Sequence, residues 1–187
     1  MTLAYTPFKI FHFSDTLSSM SSDIGTPVAP IHIRIKPINL CNHHCWYCAY
    51  KAKDMQLGED MDQKDLIPEN KMMEIVEDLI DMKVKAVTFS GGGEPFLYKP
   101  LLKVSKKLIN GDIQIASLTN GSGLEGELAE FFAHNATWLR ISLDAWDDLS
   151  YTASRGVRDG EFTKTLKRIC DFVKLQGSCV LGISLIV

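Results

Sequence analysis

Residues 31–48 read IHIRIKPINLCNHHCWYC, and this stretch decides the fold. Its first six residues alternate apolar and polar side chains, with Ile31, Ile33 and Ile35 interleaved by His32, Arg34 and Lys36. A period of two is that of a β-strand with one face toward a core. The strand runs into a loop that places Cys41, Cys45 and Cys48 within eight residues.

Downstream, the same unit repeats. A polar, acidic stretch extends to about Ile67, and Pro68 can then open a helix at its first turn. Met72, Val76, Leu79 and Ile80 recur at helical spacing. Residues 85–90 (KAVTFS) predict a second strand, ending in Gly91-Gly92-Gly93-Glu94-Pro95. Leu101, Leu102, Val104, Ser105, Leu108 and Ile109 predict a helix stopped by Gly111. Residues 113–118 predict a third strand, ending in Thr119-Asn120-Gly121, followed by a helix carrying Leu124, Leu128, Phe131 and Phe132. Residues 138–143 predict a fourth strand ending at Asp144. Phe162, Leu166, Ile169 and Val173 mark another helix, and residues 180–187 a fifth strand.

Strands alternating with helices predict an α/β fold with a parallel sheet and right-handed crossovers. Five steps without a sign of reversal favour a partial (β/α) barrel over a doubly wound sheet. In either architecture ligands bind at the C-terminal ends of the strands. The cysteine loop, GGGEP, the Thr119-Asn120-Gly121 turn and Ser142-Leu143-Asp144 all fall at that rim. The last strand, LGISLIV, is apolar with no helix after it, so the barrel is expected to lack its last strand, as a fragment would. Residues 31–187 form the expected core domain. Residues 1–30 read as an extension, partly loop, because 14–30 is rich in Ser, Thr, Pro and Gly.

The bulk numbers narrow the function classes. The 187 residues are 45% hydrophobic and 23% charged, ordinary for a soluble globular protein. A net charge of −3 lacks the basic excess of a general nucleic-acid binder. No segment approaches the roughly 20 unbroken apolar residues of a membrane span. Residues 1–20 show no basic region followed by an apolar block, so no leader is expected and the default location is the cytoplasm. Five cysteines, three of them clustered, make a poor disulfide framework and suit metal or cluster ligation in a reducing compartment.

Thiolates are the usual ligands of iron–sulfur clusters. Three cysteines in one loop can hold three irons of a [4Fe–4S] cluster and leave the fourth open to a substrate or cofactor. Zinc competes chemically, since Cys41, Cys45 and Cys48 with His43 or His44 could form a Cys3His set. Zinc motifs usually come as two spaced pairs, however, and no second pair is present. The three glycines of GGGEP let a ligand approach the backbone closely, and Glu94 sets a carboxylate beside it. The segment is neither a phosphate loop nor a dinucleotide fingerprint.

Cys-x3-Cys-x2-Cys after the first strand, with Tyr47 before the third cysteine and GGE after the second strand, resembles the radical SAM superfamily over residues 31–187. The resemblance implies that Cys41, Cys45 and Cys48 hold three irons and that S-adenosylmethionine chelates the fourth. It implies that Gly92, Gly93 and Glu94 contact the methionyl amino group. It also implies reductive cleavage to a 5′-deoxyadenosyl radical, which takes hydrogen from a substrate, small molecule or peptide. An electron donor such as flavodoxin or ferredoxin is implied as well. Ser142-Leu143-Asp144, Tyr151 and Arg155-Gly156 look like the branch containing peptide-modifying and sulfatase-maturing enzymes. By that similarity Ser142 and Arg155 bind the methionyl carboxylate, and Asn120, with Asp144 a weaker candidate, assists. No catalytic acid, base or nucleophile is assigned. The alternative is a non-catalytic zinc- or iron–sulfur-binding interaction module.

Other residues have plainer expectations. Cys170 and Cys179 are expected as small buried side chains, and Trp46, Trp138 and Trp146 as packing residues. His12, His32 and His134 lack partners at ligand spacing.

Overall fold

A computed structural model describes residues 11, 13–22, 28–52, 54 and 56–186. Contacts divide the chain into two units, Met1–Pro30 and Ile31–Val187. In the first, α1 (Ser14–Ser22) forms where the composition suggested loop. Asp15 sits in its first turn, where the helix dipole favours an anion, and the Ser18 hydroxyl donates to the Ser14 carbonyl at 2.9 Å. His12 and residues 1–10 lie outside the described residues.

The second unit carries five strands: β1 (His32–Ile35), β2 (Ala86–Phe89), β3 (Gln114–Thr119), β4 (Trp138–Ser142) and β5 (Val180–Ser184). They form one parallel sheet in the order β1-β2-β3-β4-β5, the unreversed order expected of a partial barrel. Burial follows position in the sheet. Val87, Thr88 and Phe89 of β2, and Ile115, Ala116 and Ser117 of β3, are buried, as parallel strands covered on both faces require. The outer strands are wetter, with His32 and Arg34 exposed on β1 and Val180 and Ile183 on β5.

The helices are α2 (Gln56–Glu59), α3 (Glu69–Asp81), α4 (Leu101–Asn110), α5 (Gly126–Asn135), α6 (Asp148–Arg155) and α7 (Glu161–Lys174). Pro68 stands at the cap of α3 rather than inside its first turn. Met72, Val76 and Leu79 turn inward from α3, and Leu101, Val104 and Leu108 from α4. Phe132 of α5 meets Phe96 with ring centroids 5.1 Å apart. On α7 the inward stripe is Phe162, Thr165, Ile169 and Phe172, so Leu166 and Val173 lie on its flank, exposed. The same rotation corrects the reading of Cys170, which faces solvent; Cys179 is half-buried. Trp46 and Trp146 are also corrected, being 79% and 80% exposed.

Helix α6 has no counterpart in the periodicity, because eight residues, only two of them buried, give too short an apolar stripe. It is built by its ends instead. The Asp147 carboxylate accepts from the Ser150 amide at 2.7 Å, the Asp147 amide donates to the Ser150 hydroxyl at 3.2 Å, and Gly156 closes the helix at φ +59°. Among the described residues, no helix is long and apolar enough to cross a membrane.

The register sets where the loops emerge. Ile35 pairs with Phe89, Phe89 with Ser117, Thr119 with Ile141, and Ser142 with Ser184. All five strands run in one direction, β3 and β4 ending two to three residues beyond β1 and β2, and the four unusual segments leave the sheet at its C-terminal rim.

Candidate functional site

Two walls hold the cysteine loop. The first is the glycine segment after β2. The Gly93 amide donates to the Ile38 carbonyl at 3.0 Å, and the Glu94 amide to the Leu40 carbonyl at 2.9 Å. This backbone approach requires glycine. A Cβ on Gly93 would stand 2.1 Å from the Leu40 carbonyl oxygen, whereas one on Gly92 would meet only side chains, Asn39 Oδ1 at 2.6 Å first. The second wall is the C-terminal end of α6. The His44 amide donates to the Arg155 carbonyl at 2.7 Å, and the Trp46 amide to the Ser154 carbonyl at 3.3 Å. Helix-end carbonyls need such outside donors.

Cys41, Cys45 and Cys48 are free thiols, all half-buried. The His43 amide donates to Cys41 Sγ at 3.5 Å, Asn120 Nδ2 reaches the same sulfur at 3.9 Å, and Arg155 Nη1 reaches Cys45 Sγ at 3.6 Å. Burial pushes the Cys41 thiol up, with the His43 amide opposing. His43 is buried against Tyr151, ring edge to face at 5.8 Å, and its Nδ1 has no partner. Burial, helped by the Arg155 charge, lowers its pKa to about 4, so the imidazole is neutral near pH 7.

Glu94 is buried, and both of its oxygens are engaged. Its Oε1 accepts from the Phe96 amide at 3.0 Å and the Thr119 hydroxyl at 2.6 Å, and its Oε2 from the Asn120 amide at 2.7 Å. Burial raises its pKa, while these three donors pull the other way. The carboxylate that the sequence places beside a ligand thus also ties the end of β2 to the end of β3. Asn120 continues the chain of contacts: its Nδ2 donates to Asn42 Oδ1 at 2.9 Å, and its Oδ1 accepts from the Ser122 hydroxyl at 2.6 Å.

Arg155 and Asp144 form a buried ion pair at 2.6 Å, with side chains 4% and 5% exposed. Arg155 Nη2 also donates to the Ser142 carbonyl, so the guanidinium is not a free fork. Its Nε is buried without a partner, an unsatisfied donor inside the site. Asp144 Oδ2 further accepts from the Tyr47 hydroxyl at 3.0 Å, and Oδ1 from the Ile186 amide at 2.9 Å. Asp144 adopts φ +49°, a conformation that aspartate tolerates better than most residues.

The candidates therefore meet. Gly92, Gly93, Glu94 and Asn120 border the Cys41 side of the loop, and Ser142 and Arg155 the Cys45 side. Sequence reasoning missed the Asp144–Arg155–Tyr47 linkage and the bond from Thr119 to Glu94. Pairings across 11 to 97 positions, such as Arg155 with Asp144 and Tyr47 with Asp144, leave no local pattern. The capping pair Asp147 and Ser150, with Gly156 after it, was the available sign of the helix that brings Arg155 in.

Among the described residues, no three His, Cys, Asp or Glu side chains converge as a single metal ion would require. An iron–sulfur cluster takes its thiolates on different irons, so its ligands need not meet at one point. Three free thiols in one loop, hydrogen-bond donors on two of the sulfurs and orphaned donors beside them fit such a group.

A model of the radical SAM superfamily matches residues 35–186. The chain belongs to the radical SAM superfamily. Membership implies a [4Fe–4S] cluster and S-adenosylmethionine. GTP 3′,8-cyclase of Synechococcus elongatus is 26% identical over 127 residues, covering 67% of this chain and 37% of that enzyme. The serine-type anaerobic sulfatase-maturating enzyme of Bacteroides thetaiotaomicron is 30% identical over 129 residues, covering 62% of this chain and 30% of the enzyme. This radical SAM chain thus spans well under half the length of either relative. Among solved structures, Streptococcus suis SuiB bound to the precursor peptide SuiA superposes with a TM-score of 0.68 at 17% identity, covering 95% of this chain and 38% of SuiB. The enzyme anSMEcpe with bound AdoMet gives 0.61 at 21% identity, covering 81% and 44%. These likenesses establish a shared radical SAM fold.

Proposed function

We propose that this radical SAM core holds a [4Fe–4S] cluster on Cys41, Cys45 and Cys48 and binds S-adenosylmethionine at the same rim. The observation that carries the reading is the docking of Ile38 and Leu40, which lead straight into Cys41, on Gly93 and Glu94 through two backbone hydrogen bonds. When bound, the cluster would supply an electron for reductive cleavage of S-adenosylmethionine to a 5′-deoxyadenosyl radical, which abstracts hydrogen from substrate.

The chain's own residues hold and orient. Gly92 and Gly93, whose missing side chains let residues 39 and 40 pack closely, would offer backbone groups to the methionyl amino group. Glu94 Oε2 carries a single donor, so it retains capacity to accept from that amino group. Ser142 and the unpartnered Arg155 Nε would meet the methionyl carboxylate, and Asn120 steadies the Cys41 side. The free thiols suit a reducing compartment such as the cytoplasm, and an external donor such as flavodoxin or ferredoxin would deliver the electron. SuiB has been captured with the precursor peptide SuiA, and anSMEcpe with AdoMet and a Cp18Cys peptide, so a peptide is the first substrate class to test.

Anaerobic reconstitution with iron and sulfide is expected to give about four irons per chain. Replacing Cys41, Cys45 or Cys48 with alanine should abolish loading. Intact chain that takes up one zinc in place of a cluster would overturn the assignment. Reduced, loaded protein in its full-length context should convert S-adenosylmethionine to 5′-deoxyadenosine; a loaded protein that forms none would favour the interaction-module alternative.

A further inference from the structure

Arg155 is a buried cation whose surroundings do more than neutralise it. Asp144 pairs with Nη2 at 2.6 Å, and the Ser142 carbonyl accepts from the same nitrogen. The guanidinium carbon stands 5.9 Å from the Tyr47 ring centroid and 5.6 Å from that of Tyr151, so two aromatic rings flank it. Tyr47 also donates its hydroxyl to Asp144 at 3.0 Å. The outcome of all this fixing is that Nη1 is aimed at the sulfur of Cys45, 3.6 Å away.

We propose that Arg155 tunes the cluster through a hydrogen bond to Cys45, with Asp144 as the positioning residue that holds the guanidinium in place. The inference rests on the reading that Cys45 is a cluster ligand. A donor to a ligand sulfur withdraws electron density and favours the reduced cluster, which raises its reduction potential. Asp144 alone would act the other way, as a nearby negative charge. Its pairing with Arg155 makes the ion pair neutral as a whole and leaves the directed N–H as the dominant influence on Cys45. The architecture supports this division of labour. Arg155 comes from α6, Asp144 from the end of β4, and Tyr47 from the cysteine loop itself, so the three segments are fixed together at the sulfur.

The test is a redox titration of reconstituted protein followed by electron paramagnetic resonance, without S-adenosylmethionine, so that a weaker grip on the cofactor cannot move the result. The first variant is the double substitution D144N/R155M. It removes both charges together, so no buried ion is stranded, while the donor to Cys45 is lost. The second is R155K, which keeps the charge but loses the planar fork that reaches Asp144 and Cys45 at once. The midpoint potential is expected to become more negative in both variants, more so in the double variant, with about four irons retained. Four irons at an unchanged potential would overturn the proposal while leaving the cluster assignment intact. Folded variants that both fail to load iron would also overturn it, by giving the pair a role in holding the loop. Wild-type protein that binds no cluster would refute the underlying assignment instead.

Discussion

Replacing Gly93 by alanine tests whether the cysteine loop is seated on the glycine segment. The new Cβ would lie 2.1 Å from the Leu40 carbonyl oxygen and 2.5 Å from both the carbonyl carbon and oxygen of Asn39. Ordinary contact begins at 3.4 Å, so the two loop segments must part by more than an ångström. The opposing atoms are backbone and cannot rotate aside. Parting them breaks the bonds from Gly93 to Ile38 and from Glu94 to Leu40, at 3.0 and 2.9 Å. Two hydrogen bonds at about 1 kcal/mol each, with part of the desolvation penalty of buried groups, give a loss of about 2–4 kcal/mol. The entropy lost from the unfolded chain on replacing glycine returns only about 0.4–1 kcal/mol. Denaturant unfolding of the chain should therefore show a clearly lower midpoint, and reconstituted G93A should hold fewer irons, because Leu40 immediately precedes Cys41. The control is G182A, where the nearest atom to a new Cβ is Arg140 Cγ at 3.8 Å, an ordinary contact. G182A should match wild type within about 0.5 kcal/mol. Equal stability and equal iron in G93A and wild type would refute the seating argument.

Two further predictions concern the scaffold and the buried carboxylate. Phe132 has no exposed surface and packs on Phe96, so F132A should cost about 3–5 kcal/mol in denaturant unfolding; a loss near zero would mean that α5 does not cover the sheet as described. Burial holds the Glu94 carboxyl above its ordinary value of 4.5, so between that value and its folded value the folded chain keeps a proton that the unfolded chain has released. Its contribution to stability should therefore fall as pH rises through that interval and level off above it. Unfolding free energies of wild type measured from pH 4 upward, minus those of E94Q, should slope downward there; an upward slope would mean that the three hydrogen bonds outweigh burial.

The parallel α/β plan and the rim were legible because they rest on local patterns. Alternation in 31–36, the helical spacing of Met72, Val76 and Leu79, and glycine at 111 each report a neighbour-scale constraint. The cysteines and glycines were legible for a similar reason: ligand chemistry needs those residue types close together in the chain. What stayed hidden depends on side chains meeting across the fold. The resemblance points Arg155 at a carboxylate of the cofactor, and the structure adds Asp144 as a carboxylate of its own, brought in by the turn at Asp144 and the placement of α6. The sequence reads Glu94 as a carboxylate set beside a ligand, and its hydrogen bonds to Thr119 and the Asn120 amide were not legible. Exposed Trp46, Trp146 and Cys170 were misjudged because residue type reports average burial, whereas the face an element turns outward is set by its packing.

The two buried carboxylates have parallel roles. Each accepts three donors: Glu94 from the Phe96 and Asn120 amides and the Thr119 hydroxyl, Asp144 from Arg155, the Tyr47 hydroxyl and the Ile186 amide. Glu94 joins β2 to β3, and Asp144 joins the end of β4 to α6 and to the residues after β5. A buried carboxylate without partners would be prohibitive, so each forces its donors into place as the chain folds. The cysteine loop spans the gap between them, resting on Gly93 and Glu94 at one side and on the end of α6 at the other. Its sulfurs consequently report on different halves of the barrel. Asn120, fixed by Glu94, approaches Cys41, and Arg155, fixed by Asp144, approaches Cys45. Substitutions in the Glu94 half should therefore act first on loop seating and iron retention, and substitutions in the Asp144 half first on potential. A single shared response to both would mean that the loop moves as one rigid piece, with neither carboxylate controlling its own sulfur.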